Sequence, residues 1–256
     1  MAGNKDLQSE LIESLKALHL PTVRQYYRQC AQMAAKEDLS YEQYLLELVE
    51  RECEVRRENK IKRLLRSSRL PLEKTLAAFD LKRLPVRVRQ QVKVLLEGGF
   101  LERNENVLAF GNPGSGKTHL LCAIGQELIH QGYSVYFTTC SLLVQELLRA
   151  KRDLKLDKIL KKFSKYDALL IDDIGYVQQE RQEMEVLFTL LAQRYEYGSV
   201  MLTSNLPFSK WDAIFKDPMT TAAAIDRLVH HSVILELNIS SYRVKHAKAT
   251  KKKAAG

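Results

Sequence analysis

Long apolar runs are missing from this 256-residue chain, and with them any segment able to span a bilayer. The N-terminus, MAGNKDLQSELIESLKALHL, also lacks a secretory core; Leu7, Leu11, Leu15 and Leu18 recur there at helical spacing instead. Together these absences point to a cytoplasmic protein. Cysteine is sparse: Cys30, Cys53, Cys122 and Cys140 lie far apart and form no C-x-x-C pair, which argues against a zinc site or a disulfide framework and for buried, reduced thiols. His230 and His231 are adjacent but have no acidic or cysteine partner at metal-ligand spacing. No internal repeat is present.

Charge of one sign is in excess, and it is unevenly placed. The net charge is +9. Residues 149–165, RAKRDLKLDKILKKFSK, hold eight Lys/Arg against two acids, and residues 242–256, YRVKHAKATKKKAAG, hold six against none. Such local clusters suit a polyanion better than a uniformly basic surface would. The terminal lysine run, without aromatics, reads as a disordered tail.

Residues 1–75 carry only helical patterns. Ser40-Tyr41-Glu42-Gln43 has capping-box form, and Tyr41, Tyr44, Leu45, Leu48 and Val49 follow as an apolar stripe. These helices would form a small bundle or pack on another subunit. Pro71 and Pro85 bracket a junction. From Asn106 onward, short apolar runs (NVLAF, SVYFTT, ALLI, SVMLTS, SVILEL) alternate with helical segments. This alternation predicts an α/β fold with a parallel sheet between helices. The expected domains are a helical unit over 1–75, an α/β unit over 76–243 and a basic tail over 244–256.

Between the first strand and the helix after it stands Gly111-Asn112-Pro113-Gly114-Ser115-Gly116-Lys117-Thr118, a full G-x-x-x-x-G-K-[ST] match. Glycines let backbone N–H groups turn inward on phosphates, and the following helix aims its positive end at the same place. Lys117 is placed to reach the β- and γ-phosphates, and the Thr118 hydroxyl to ligate Mg²⁺. In ALLIDDIG the buried strand ends in Asp172 and Asp173, placed for the Mg²⁺ shell and for orienting water respectively. SVMLTSN ends in Thr203, Ser204 and Asn205. It reads as a strand inserted between the phosphate-loop and ALLI strands, with the Asn205 amide near the γ-phosphate. Arg227, close to the last strand, is placed to act on a neighbouring subunit's nucleotide. No N-K-x-D base-reading motif follows the loop, which disfavours a signalling GTPase. A small-molecule kinase would need an arginine-bearing lid and an acceptor pocket, where this chain has a helical N-terminal part and a basic insertion.

GNPGSGKTHL, LLIDDIG, TSN, IDRLVHHS and SYR occur in the order found in the IstB-like branch of AAA+ ATPases, which the chain resembles from about Phe79 to Arg243. That resemblance implies a P-loop AAA+ core after an all-α N-terminal domain. It also implies an ATP- and Mg²⁺-dependent ATPase that assembles as a ring or spiral homo-oligomer on duplex target DNA, deforms it and stimulates a cognate transposase. A DnaC-like helicase loader is the alternative. Carried onto this chain, residues Gly111 to Thr118 with His119 bind ATP, and Thr118 and Asp172 hold Mg²⁺. Asp173 is the catalytic carboxylate, Asn205 sensor 1, Arg227 the finger and Arg243 a sensor-2-like arginine. Many AAA+ proteins have Glu at the Asp173 position. The shorter side chain predicts slow hydrolysis, because about an ångström of misplacement costs roughly a hundredfold. About twenty residues follow the last strand, so no separate C-terminal lid is expected. In initiator-type relatives the segment between the second strand and the aspartate strand faces the assembly pore. Lys151, Arg152, Lys155, Lys158, Lys161 and Lys162 would there track DNA phosphates, with steep salt dependence, and the protein would be nucleoid-associated when DNA-bound.

Overall fold

The structure, a computed structural model, describes residues 2–174, 181–211, 218–239 and 241. Arg243 and the basic tail lie outside the described residues. The chain divides into two compact units, Met1–Arg63 and Leu64–Gly256, so residues 64–75 belong with the second unit rather than with the helical one. Among the described residues no helix is long and apolar enough to cross a membrane.

The first unit is built from α1 (Ala2–Ala17), α2 (Pro21–Glu37) and the start of α3 (Tyr41–Ser68). Leu15, Val23, Cys30 and Leu48 form its small core, with Tyr26, Tyr27 and Tyr44 packed against them. Ser40 and Gln43 make the expected reciprocal cap: the Ser40 amide donates to Gln43 Oε1 at 2.8 Å, and the Gln43 amide to Ser40 Oγ at 3.3 Å. The stripe behind it is buried only in part. Tyr41, Leu45 and Val49 stand exposed because the core is too small to cover them.

Pro21 opens α2 without a side-chain cap of its own, so its free amides are met from another helix. Glu52 of α3 accepts from Thr22 N at 2.8 Å and Val23 N at 3.2 Å, while its other oxygen takes Arg56 Nε at 2.7 Å. Burial pushes the Glu52 carboxyl up, but the Arg56 guanidinium and the two amides outweigh it and hold the pKa below 4.5.

The second unit holds a five-stranded, wholly parallel sheet of β1 (Asn106–Phe110), β2 (Val135–Thr139), β3 (Ala168–Ile174), β4 (Ser199–Ser204) and β5 (Ser232–Glu236), in the order β2-β3-β4-β1-β5. β4 lies between β1 and β3, as the sequence predicts. Helices α4 (Val86–Leu96), α5 (Gly99–Glu102), α6 (Lys117–His130), α7 (Cys140–Arg152), α8 (Leu156–Phe163) and α9 (Arg181–Arg194) join them, with a further helix over Pro218–Val229. Val107, Leu108, Ala109, Leu170, Ile171, Met201 and Leu202 are fully buried, which is why these strands read as unbroken apolar runs. Arg194 ties the entry edge of the sheet together: its buried guanidinium donates to the carbonyls of Phe163, Tyr166, Asp167 and Ser199 at 2.9–3.1 Å. Burial pushes its pKa down to about 10. Cys30, Cys122 and Cys140 are buried thiols, but Cys53 is exposed, contrary to the sequence expectation.

Because Glu52 has a lowered folded pKa, its contribution is fully present above pH 4.5 and is lost as pH falls through the folded value. In urea unfolding of the full chain followed by helix signal, Glu52→Ala should cost about 1–3 kcal/mol near neutral pH. The difference from wild type should shrink below pH 4.5.

Candidate nucleotide-binding site

β1 delivers the chain at its C-terminal end into the glycine-rich loop. Gly111 has φ +149°, and a Cβ there would sit 2.4 Å from the Leu237 carbonyl oxygen. Gly116 caps α6 at φ +98°, where a Cβ would meet the Phe79 ring at 2.9 Å. The loop therefore requires glycine for both conformation and space. No side chain caps α6, so the positive end of the helix faces the loop, as in anion sites at helix N-termini.

Lys117 is buried, with 5% exposure. Its Nζ donates to Gly111 O at 2.7 Å, Asn112 O at 3.1 Å and Asn205 Oδ1 at 2.6 Å. Asn205, at the tip of β4, is thereby brought against the phosphate loop across 88 residues of sequence. Thr118 Oγ1 donates to Asp172 Oδ1 at 2.7 Å, and Thr203 Oγ1 donates to the same oxygen at 2.6 Å.

The two aspartates are set apart by a β-bulge. Between the pairs Ile171↔Leu202 and Ile174↔Ser204, β3 advances three residues while β4 advances two. Asp173 occupies the bulge at φ +59°, and its amide donates to Thr203 Oγ1 at 2.8 Å instead of to a ladder carbonyl. Asp172 is buried and Asp173 exposed, so the carboxylates face different surroundings. A left-handed backbone is tolerated by Asp far better than by most residues, which gives a local reason for Asp where Glu is common.

A cavity of about 350 Å³ opens here, within the size range of small-molecule sites. Pro113, Gly114, Gly116, Lys117, Thr118, His119, Asp173 and Asn205 line it. The segment before the loop supplies the rest of the wall: Lys74, Ala78, Phe79, Asp80 and Arg83, none of which sequence reasoning singled out. That segment is docked on α6. Gln126 Nε2 donates to the carbonyls of Pro71 and Lys74 at 3.0 and 3.2 Å, and His119 Nε2 lies 2.9 Å from Thr75 O. Phe79 meets His119 edge-on, with ring centroids 5.3 Å apart. The prolines bracketing this junction were the available signal.

The cradle fits a triphosphate. Thr118 and Asp172 fit Mg²⁺ as oxygen donors. Among the described residues there is no cluster of three or more His, Cys, Asp or Glu, so a cation here would need phosphate oxygens to complete its shell.

Arg227 is not in this cavity. It sits in the Pro218–Val229 helix with its guanidinium 5.8 Å from the Phe188 ring centroid. The next residue's carbonyl, Leu228 O, accepts from Asn106 Nδ2 at the start of β1. The phosphate loop leaves the other end of β1, about 13 Å away at roughly 3.3 Å per residue. Of the predicted basic path, Arg152, Lys155, Lys158 and Lys161 are exposed on the α7–α8 hairpin. Lys151 and Lys162 are instead held by Glu185 and Glu146, each at 2.9 Å. Lys162 also lies over the Tyr136 and Phe163 rings.

The chain is similar to known proteins in sequence and in fold. The IstB-like ATP binding protein family matches residues 13–250. A protein of Sinorhizobium fredii named as an insertion-sequence ATP-binding protein is 41% identical over 93% of this chain and 80% of its own. One named for insertion sequence IS5376 of Geobacillus stearothermophilus is 36% identical over 96% of this chain and 98% of its own. Among solved structures, the DnaC helicase loader superposes with a TM-score of 0.57 at 19% identity, covering 66% of this chain and 97% of that one. AMPPCP-bound DnaA from Aquifex aeolicus gives 0.57 at 22% identity, covering 73% and 56%. A phosphate cradle on the parallel AAA+ sheet, matched along nearly the whole sequence, places the chain in the family of IstB-like ATP-binding proteins.

Proposed function

We propose that this protein is an ATP-hydrolysing switch that assembles with copies of itself on duplex DNA, deforms it and engages the transposase of an insertion sequence. The observation that carries this reading is the chain of short hydrogen bonds joining the phosphate loop to β3 and β4: Lys117 to Asn205, Thr118 to Asp172, and Asp172 to Thr203. A nucleotide in the cavity touches all three elements at once, so its γ-phosphate is felt at two strand tips. The insertion-sequence relatives support the transposition setting.

In this reading the loop amides and Lys117 bind the phosphates, and Phe79, Ala78 and Arg83 wall the nucleoside. Thr118 and Asp172 hold Mg²⁺, whose chemistry is to neutralise charge developing on the phosphates. Asp173 orients the attacking water through hydrogen bonding, and Asn205 holds Lys117 and the terminal phosphate in register. Arg227, at the opposite sheet edge, completes the site of a neighbouring copy. The exposed Leu45, Leu46 and Val49 on α3 support self-association through the helical unit. Arg152, Lys155, Lys158 and Lys161 form the cationic ridge for DNA phosphates, reading charge rather than sequence.

ATP-dependent assembly tests the proposal directly. The wild type should coat duplex DNA with ATP and far less without it, by sedimentation or electron microscopy, and Lys117→Ala should lose that dependence. A stronger response to single-stranded DNA would favour helicase loading instead.

Arg227→Ala should leave ATP binding intact and slow hydrolysis by roughly 10³ or more. Mixing in Lys117→Ala copies, whose Arg227 is present, should restore part of the rate. Equal loss of binding and hydrolysis contradicts a role in trans.

Thr203→Val removes one hydroxyl from Asp172 and the acceptor of the Asp173 amide. It should cost about 1–3 kcal/mol of stability. It should also lower the hydrolysis rate more than ATP affinity, with Thr203→Ser close to wild type in both assays.

A further inference from the structure

The helical hairpin between β2 and β3 breaks local rules at its apex. Helix α7 ends at Arg152 and is closed by a double hydrogen-bonded turn: the Leu154 amide donates to Lys151 O at 3.2 Å, and the Lys155 amide to Ala150 O at 2.7 Å. This pattern places the residue after the cap in the left-handed region, a position occupied mainly by Gly or Asn. Here it is Leu154, at φ +56°. Leu154 is also 94% exposed, the highest value among the exposed large apolar residues that the structure describes. The other large apolar residues from 154 to 163, namely Leu156, Ile159, Leu160 and Phe163, all pack into or against the main core. A strained backbone and an uncovered leucine at one residue are both costs to the isolated chain. Such outliers concentrate where a partner is engaged.

The surroundings of the leucine identify the partner's chemistry. Arg152, Lys155 and Lys158 are exposed around it, alternating with the exposed Asp153 and Asp157, and Lys161 follows one turn on. An apolar pocket on another protein would need a dehydrated rim. A single apolar tip where cations outnumber acids instead suits a duplex, where phosphates meet the cations and stacked bases accept the tip. Apolar side chains of this size enter between base steps and kink the helix, most readily at flexible pyrimidine–purine steps.

We propose that Leu154 is a wedge that inserts between base steps of bound duplex DNA, with Arg152, Lys155 and Lys158 holding the flanking phosphates. This rests on the duplex-binding reading above and adds the device that deforms the DNA.

The test uses the full chain with a non-hydrolysable ATP analogue and a duplex carrying 2-aminopurine at repeated T–A steps, labelled at its ends for energy transfer. Wild type should raise the 2-aminopurine fluorescence and shorten the end-to-end distance on binding. Leu154→Asn, which suits the left-handed backbone, should fold, bind with the same salt dependence and lose most of both signals. Leu154→Met should keep them. A full fluorescence rise with Leu154→Asn overturns the wedge while leaving duplex binding intact. Loss of all assembly by a folded Leu154→Asn assigns the residue to a subunit contact and also overturns it. Absence of duplex binding by wild type removes the underlying DNA reading, and the wedge with it.

Discussion

One carboxylate oxygen, Asp172 Oδ1, accepts hydroxyl hydrogens from Thr118 at 2.7 Å and from Thr203 at 2.6 Å. A buried carboxylate oxygen needs such donors in place of the water it has lost. These two come from the helix that follows the phosphate loop and from the neighbouring strand. Thr203 in turn accepts the Asp173 amide, so the same hydroxyl fixes the bulge that separates the two acids. The position of the Asp172 oxygen, the direction of the second carboxylate and the spacing between β3 and β4 are therefore set together by the same hydroxyl contacts.

The parallel sheet distributes function by edge. Strand C-termini carry Gly111–Thr118, Asp172, Asp173 and Asn205, while the N-terminal edge carries Arg194, with Arg227 close to Asn106. In the proposed reading, a nucleotide on one edge and a finger on the other would suit a heterologous, head-to-tail assembly. The apex of the α7–α8 hairpin, at Leu154, is turned to solvent. Nucleotide state and DNA contact would then be linked through subunit spacing rather than through a direct path inside one chain.

Much of this was legible beforehand because it is local chemistry. A phosphate loop needs its glycines and lysine in a fixed order, and buried parallel strands need unbroken apolar runs. The position of β4 beside β1 and β3 followed from the same logic. What escaped the sequence depends on approach in space. Phe79 and Arg83 wall the cavity because Gln126 and His119 dock their segment on α6, and no periodicity announces that. Thr203 was visible as a strand end, but its role arises only from the bulge. The basic stretch over residues 149–165 is divided at Leu154, between α7 and α8. Lys151 and Lys162 are diverted to glutamates on neighbouring helices. The apolar stripe on α3 was legible as a pattern, but among the described residues its partners cover only Leu48 and part of Tyr44.

Imaging the full chain on duplex DNA with a non-hydrolysable ATP analogue tests the central claim most directly. The account predicts stacked copies in which Arg227 of each reaches the γ-phosphate held between Lys117 and Asn205 of the next, with the α7–α8 hairpins facing the duplex. Nucleotide-bound monomers with Arg227 in solvent, or stacked copies whose hairpins face away from the DNA, would contradict it.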